Sequence, residues 1–225
     1  GADELFAGYP TYRANSFFNW YRKTPAKFSS SLQRTARFLF KPSYRKVSFD
    51  YKLNHFLKSH GLTQREAHYW WRIIFPLDNI QSILCSDFLR EQNDYSPYDT
   101  FAQYFERIDT APFLDQCLYV DSLTWLADDI LVKTDRMSMA NSVEIRSPFL
   151  DKSLAEFAAR LPITEKLGFN SNKRIVRNAM ARELPKKAHS GTKKGFNSPS
   201  RPITNIHAQE TSFFQKDFKL DSDKE

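Results

Sequence analysis

The 225-residue sequence contains only two cysteines, Cys85 and Cys117. Two cysteines do not make a disulfide framework. Both sit in apolar stretches at helical spacing, which predicts core thiols in a reducing compartment. The histidines are scattered at His55, His60, His68, His189 and His207, so their spacing offers neither a metal-binding Cys/His cluster nor a Ser/His/Asp constellation. No apolar run approaches the roughly 18 residues that span a bilayer. No secretory leader is recognisable, and no membrane partner is expected. There is no internal repeat. Strand patterning is almost absent, because Val47, Phe49 and Tyr51 alternate over too short a stretch. The chain opens at Gly1 without an initiator Met and is expected to be a piece of a longer protein.

What is present suffices for a core. The hydrophobic fraction is 41% and aromatics make up 15%, which separates the chain from disordered compositions. Its length allows one sizeable core or two small ones. The net charge of +7 is unevenly placed. Residues 1–60 carry 11 Lys/Arg against 3 Asp/Glu, residues 61–160 carry 9 against 16, and residues 161–225 carry 13 against 7. An acidic middle between basic ends argues against one continuous nucleic-acid surface and leaves room for a local anion site. Within residues 13–60, Arg34, Arg37, Lys41, Arg45 and Lys46 interleave with Phe38, Phe40 and Tyr44. That pattern suits a solvated helix face with snorkelling stems, or contacts to RNA. A basic helical nucleic-acid-binding or interaction module therefore stands as an alternative class.

From Gly61 onward helical signals recur. Thr63 and Glu66 have capping-box spacing. Ala67, Trp70, Trp71 and Ile74 follow at i, i+3, i+4 and i+7, and Pro76 closes that run. Ile80, Ile83, Leu84 and Phe88 predict another helix. Ser96-Pro97 opens one carrying Phe101, Ala102, Phe105 and Ile108, and Pro112 opens one carrying Leu114, Cys117 and Leu118. Leu123, Leu126, Ala127, Ile130 and Leu131 form an apolar stripe that Asp121 or Ser122 can cap. Asp151 can cap a helix with Leu154, Phe157, Ala158 and Leu161 on one face. A last helix is predicted from about Ser171 to Leu184, with Ile175, Val176, Ala179 and Met180 inward. The predicted fold is predominantly α. One helical unit covers residues 1–209, and a polar tail covers residues 210–225.

Three stretches carry chemistry. In Gly1-Ala2-Asp3-Glu4-Leu5-Phe6-Ala7-Gly8-Tyr9, the acids favour a helix N-terminus, or serve as a carboxylate holding Mg²⁺ against phosphates. In the second, Lys133, Asp135, Arg136, Glu144 and Arg146 sit among Met137, Met139, Val143 and Ile145. This predicts a buried structural network of Arg136, Glu144 and Arg146, since buried charges must be paired or serve a site. In the third, Lys186, Lys187, Lys193, Lys194 and Arg201 have no acid among them, and Gly191, Gly195, Pro199 and Pro202 mark loop. Such a loop is either solvated or binds phosphate.

These stretches also resemble the asparagine synthetase family. The run ending Glu144, Arg146, Pro148, Phe149, Leu150, Asp151 is similar to its Glu-x-Arg-x-Pro-Phe-Leu-Asp ending. Gly1 to Tyr9 resembles its Gly-Ser/Ala-Asp-Glu-Leu-Phe-x-Gly-Tyr motif. Lys193 to Pro199 resembles its Lys-x-Gly-Phe-x-x-Pro loop. The resemblance implies the helical C-terminal part of an α/β ATP-pyrophosphatase domain of the adenine nucleotide alpha hydrolase kind. It implies ATP and Mg²⁺ as cofactors, with Asp3 at the metal and pyrophosphate, Lys193 as the catalytic lysine and Lys194 beside the nucleotide. It implies a cytoplasmic amide-forming ligase that adenylates an aspartate-like carboxylate, which ammonia from glutamine then attacks. A ring-closing relative like β-lactam synthetase shares these motifs. The family's Ser-Gly-Gly-x-Asp-Ser phosphate loop and N-terminal glutaminase do not occur here, so this piece alone is expected to be inactive. The resemblance is silent over most of residues 13–119.

Overall fold

The computed structural model describes residues 1–39, 49–73, 75–76, 79–80, 82–85, 87, 90, 96–169 and 171–185. All regular elements among them are helical, and a single antiparallel bridge joins Leu167 to Asn172. A short α1 (Ala2–Leu5) leads to α2 (Pro10–Tyr21), α3 (Ala26–Leu39), α4 (Phe49–Lys58) and α5 (Gln64–Trp70). Next come α6 (Pro97–Glu106) and α7 (Phe113–Asp121), which runs on into a π-helical segment (Ser122–Leu131) and α8 (Val132–Met139). A 3₁₀ turn (Pro148–Leu150) precedes α9 (Lys152–Arg160), α10 (Ile163–Lys166) and α11 (Arg174–Ala179).

Local chemistry sets several of these boundaries. The Thr63 hydroxyl accepts from the Glu66 amide at 3.2 Å, while the Glu66 carboxylate accepts from the Thr63 amide at 2.7 Å. That reciprocal box satisfies two backbone donors at the start of α5. Asp151 accepts from the Leu154 amide at 3.2 Å and starts α9. Pro97 and Pro10 occupy first-turn positions, where a missing N–H costs nothing.

α2 is the shared wall of two apolar clusters. Its Tyr12 belongs with Ala7, Phe101, Phe105, Leu114, Cys117, Leu118 and Val120. Its Phe18 and Tyr21 belong with Ala36, Leu57 and Ala67. Tyr12 and Phe18 fall six residues apart, on faces separated enough to serve both clusters.

Several sequence expectations are corrected. Asp121 does not cap a helix, because it lies inside continuous helix at φ −63, ψ −32. The stripe beyond it is wound i→i+5, which changes the spacing of residues that share a face. Within it Leu126 is buried and Leu123, Ala127, Ile130 and Leu131 are half-buried, so the stripe keeps its apolar residues at least partly covered. α5 ends at Trp70, ahead of Pro76. The last helix is shorter than expected, and Ala179 and Met180 face solvent. Ile83 and Leu84 lie in an exposed turn beside Cys85, so Cys85 is an exposed thiol and Cys117 alone is a core thiol.

The buried network of Arg136, Glu144 and Arg146 is also corrected. Glu144 and Arg146 pair with each other at the surface, with 67% and 85% of their side chains exposed, and Arg136 is exposed as well. Their apolar neighbours Met137, Met139, Val143 and Ile145 face outward too, so among the described residues no core surrounds the charges.

Candidate functional site

The first nine residues fold into one turn of helix and a tight return. Ala7 takes a left-handed conformation at φ 54, and the Gly8 amide donates to the Asp3 carbonyl at 2.8 Å. This return brings the backbone of Gly8 against the side chain of Asp3. A Cβ at Gly8 would stand 1.8 Å from Asp3 Oδ1 and 2.4 Å from Lys173 Cε, so a side chain there would displace the Asp3–Lys173 pair.

Asp3 forms an ion pair with Lys173, Oδ1 to Nζ at 2.8 Å, and its side chain is 22% exposed. Lys173 is fixed at the start of α11 with φ 55, a left-handed conformation uncommon for a residue with a Cβ. Its amide donates to the Phe6 carbonyl at 3.2 Å. The Asn172 side-chain amide donates to the Gly8 and Tyr9 carbonyls at 2.9 and 3.1 Å. The 170s are thus stitched onto the N-terminal turn.

The Pro148–Leu150 turn packs on the same unit. Phe149 meets Phe6 edge to face with centroids 6.1 Å apart. The Leu150 side chain fills the space a Cβ at Gly1 would need. Two stretches read separately in the sequence therefore form one structural unit with a third part near Lys173.

The two acids of the turn have different environments. Glu4 is buried and accepts the Tyr9 hydroxyl proton. Burial, together with the hydrogen bond and charge of Glu4, holds the Tyr9 hydroxyl well above its usual range, so it is a neutral donor. Asp3 remains partly open. Mg²⁺ bound with phosphates commonly takes one or two carboxylates and fills its other positions with phosphate and water oxygens. Asp3, paired with Lys173 but 22% exposed, fits that donor set better than Glu4, which is buried against Tyr9. Among the described residues, no group of three or more His, Cys, Asp and Glu gathers to hold an ion.

Behind this turn lies a polar hub that spacing did not reveal. Asp121 is fully buried and accepts from Tyr12 Oη at 2.6 Å, His68 Nε2 at 3.0 Å and Arg72 Nε at 3.1 Å, with Arg72 Nη2 closing the fork. Burial raises the Asp121 carboxyl, but the Arg72 charge and the His68 and Tyr12 contacts outweigh it, leaving it at about 2. Asn15 Nδ2 lies 3.2 Å from His68 Nδ1, which makes Nδ1 the acceptor and Nε2–H the donor. Arg72 stacks on Tyr9, 4.6 Å from its centroid, and so ties the hub to the turn. The sequence held two signals. Asp121 follows the apolar Cys117, Leu118 and Val120 in a helical run, and His68 and Arg72 stand at i, i+4 on one face.

Lys193 and Lys194 lie outside the described residues, so the third stretch is not located relative to Asp3.

The family model described as asparagine synthase matches residues 1–210. This chain belongs to the asparagine synthase family. It is 28% identical to asparagine synthetase [glutamine-hydrolyzing] 1 of Bacillus subtilis strain 168, over 98% of this chain and 35% of that protein. It is 29% identical to a putative asparagine synthetase [glutamine-hydrolyzing] of Mycobacterium bovis, over 89% of this chain and 29% of that protein. It is 22% identical to amidase chry2 of Gibberella zeae, over 89% of this chain and 31% of that protein. The chain thus spans about a third of the length of these relatives. No solved structure matches significantly.

Proposed function

We propose that this chain is the helical portion of an ATP-dependent, amide-forming carbon–nitrogen ligase. In this reading it completes an α/β ATP-pyrophosphatase domain whose phosphate loop and glutaminase belong to the rest of a longer parent. An aspartate-like carboxylate attacks the α-phosphate of ATP, forming an acyl-adenylate and releasing pyrophosphate. Ammonia from glutamine then attacks the acyl carbon, and AMP leaves. Family membership supports this ligase over a nucleic-acid-binding module.

One observation carries the reading: Asp3, a carboxylate left partly open, is aimed by Lys173 on a turn packed against Phe149 and Leu150. Asp3 would hold Mg²⁺ at the pyrophosphate end of ATP. The ion, when bound, neutralises phosphate charge. Lys173 keeps the Asp3 carboxylate oriented and adds a cation beside it. The reading assigns to Lys193 the stabilisation of charge on the reacting acyl phosphate, and to Lys194 a contact to the nucleotide.

The test is carboxylate-dependent ATP–pyrophosphate exchange by the full-length parent. Exchange with aspartate supports the reading. A folded parent that exchanges with no carboxylate rejects it.

A further inference from the structure

α3 is amphipathic in an inverted sense. Its inward face is small and polar. Ser29 and Ala36 are buried, and Gln33 donates to the Leu57 carbonyl at 3.1 Å and to Ser29 Oγ at 3.2 Å. Ser29 and Tyr21 also share a hydrogen bond of 2.7 Å. The large apolar residues lie along the side next to that face, with Phe28 and Leu32 partly covered and Phe38 and Leu39 mostly open. Phe28 and Leu32 are 48% and 38% exposed, and Phe38 and Leu39 are 85% and 64% exposed. Phe28, Leu32, Thr35 and Leu39 follow i, i+4, i+7, i+11, which is one stripe along the helix. A helix that folds only to bury its apolar face has the opposite arrangement, and an outward apolar stripe marks a contact surface.

The charge beside this stripe is of one sign. Between Glu4 and Asp50 there is no acid, while Arg13, Arg22, Lys23, Lys27, Arg34, Arg37, Lys41, Arg45 and Lys46 fall within that interval. Arg22, Lys23, Lys27 and Arg34 are exposed, and none takes part in an ion pair among the described residues. Lys27 and Arg34 are seven residues apart, so they flank the apolar stripe along one line of α3. On α2, just before the turn into α3, Trp20 is 68% exposed and Phe17 is 57% exposed.

We propose that α3 is an interfacial helix that lays this protein against an anionic lipid surface. Phe28, Leu32 and Leu39 enter the headgroup–acyl boundary, while Lys27 and Arg34 meet lipid phosphates. Apolar insertion combined with cationic attraction is how such helices bind, and it needs no spanning segment. Trp20 suits the headgroup level, where amphipathic rings collect. A second copy is a poor occupant because like cationic faces repel. RNA fits less well, since the aliphatic Leu32 and Leu39 offer no ring for a base to stack on.

The experiment is sedimentation of the full-length parent with vesicles of phosphatidylcholine alone or with phosphatidylserine. Binding should require phosphatidylserine and weaken as salt rises. It should weaken about tenfold or more both in Lys27→Glu/Arg34→Glu and in Phe28→Ser/Leu32→Ser, with each variant still folded by circular dichroism. Absence of binding to phosphatidylserine vesicles overturns the proposal. Retention of binding in Phe28→Ser/Leu32→Ser overturns it too, since charge alone would then suffice. So does displacement from vesicles by poly(U) RNA that binds the same face more tightly.

Discussion

Arg72 and Asp121 are 49 residues apart in the chain and meet as a forked ion pair inside the helical core, with Arg72 Nε 3.1 Å from Asp121 Oδ1. The Asp121 side chain is fully buried and that of Arg72 is 9% exposed. Tyr12 and His68 fill the remaining acceptor positions of the carboxylate. Removing one member leaves the other charge without its counter-ion in a place water does not reach.

Asp121→Asn should therefore be strongly destabilising. Breaking one side of a buried pair costs about 3–5 kcal/mol. For a chain of this size that lowers the melting temperature by roughly 6 °C or more. The control is Lys133→Ala, which breaks the exposed Asp129–Lys133 pair and should leave the melting temperature nearly unchanged. Equal effects in the two variants would show that the hub is dispensable.

The same pair sets an acid limit. The Asp121 carboxyl is lowered from 3.8 to about 2, so its stabilisation is present above pH 3.8 and is lost as pH falls towards 2. Denaturant midpoints of the wild type should drop across that window. The decline should be shallower in Asp121→Asn, which has no carboxylate to protonate there. Parallel curves would mean the hub carboxylate does not titrate in this range.

The Glu144–Arg146 pair behaves differently because it is exposed. Arg146→Ala in the 225-residue chain should shift the melting temperature by no more than other surface changes do. A large loss would show that these charges are buried after all, as their apolar neighbours first suggested.

In the full-length parent, Lys193→Ala should lower kcat about 10²–10³-fold while KM for ATP moves little, as expected for a contact made mainly in the transition state. Lys194→Ala should be milder. Steady-state ligase kinetics of both variants decide the point. A larger loss at Lys194 would shift the catalytic register by one residue, and equal small losses would make the loop a solvated surface.

Much of the helical framework was legible because its signals are local. Thr63 and Glu66 announce a cap within four residues, and Asp151 does so with Leu154. Phe101, Phe105, Leu114, Cys117 and Leu118 reach the core as their helical spacing predicts. What escaped was long-range or depended on a change of winding. Nothing local tells Asp121 that its partners are Tyr12, 109 residues away, and His68, 53 residues away. The π-helical winding after Asp121 gave no local signal, and along it Leu126 is buried while Leu123, Ala127, Ile130 and Leu131 are half-buried. Charges set among Met137, Met139, Val143 and Ile145 read as interior, while these four apolar side chains and Arg136, Glu144 and Arg146 are exposed. At the candidate site, the motif singles out Asp3 as a candidate, but its tether to Lys173 requires the chain to return across 170 residues.

The most direct test of the account is Asp3→Asn in the full-length parent, measured by ATP–pyrophosphate exchange across a Mg²⁺ titration and by melting temperature in parallel. The substitution keeps the size of the side chain and removes the charge that pairs with Lys173 and that the proposal gives to the ion. The account predicts a large fall in exchange, a higher Mg²⁺ requirement and a small change in melting temperature, since Asp3 is partly exposed. Exchange and stability falling together, with the Mg²⁺ requirement unchanged, would contradict it and make Asp3 a structural partner of Lys173 alone.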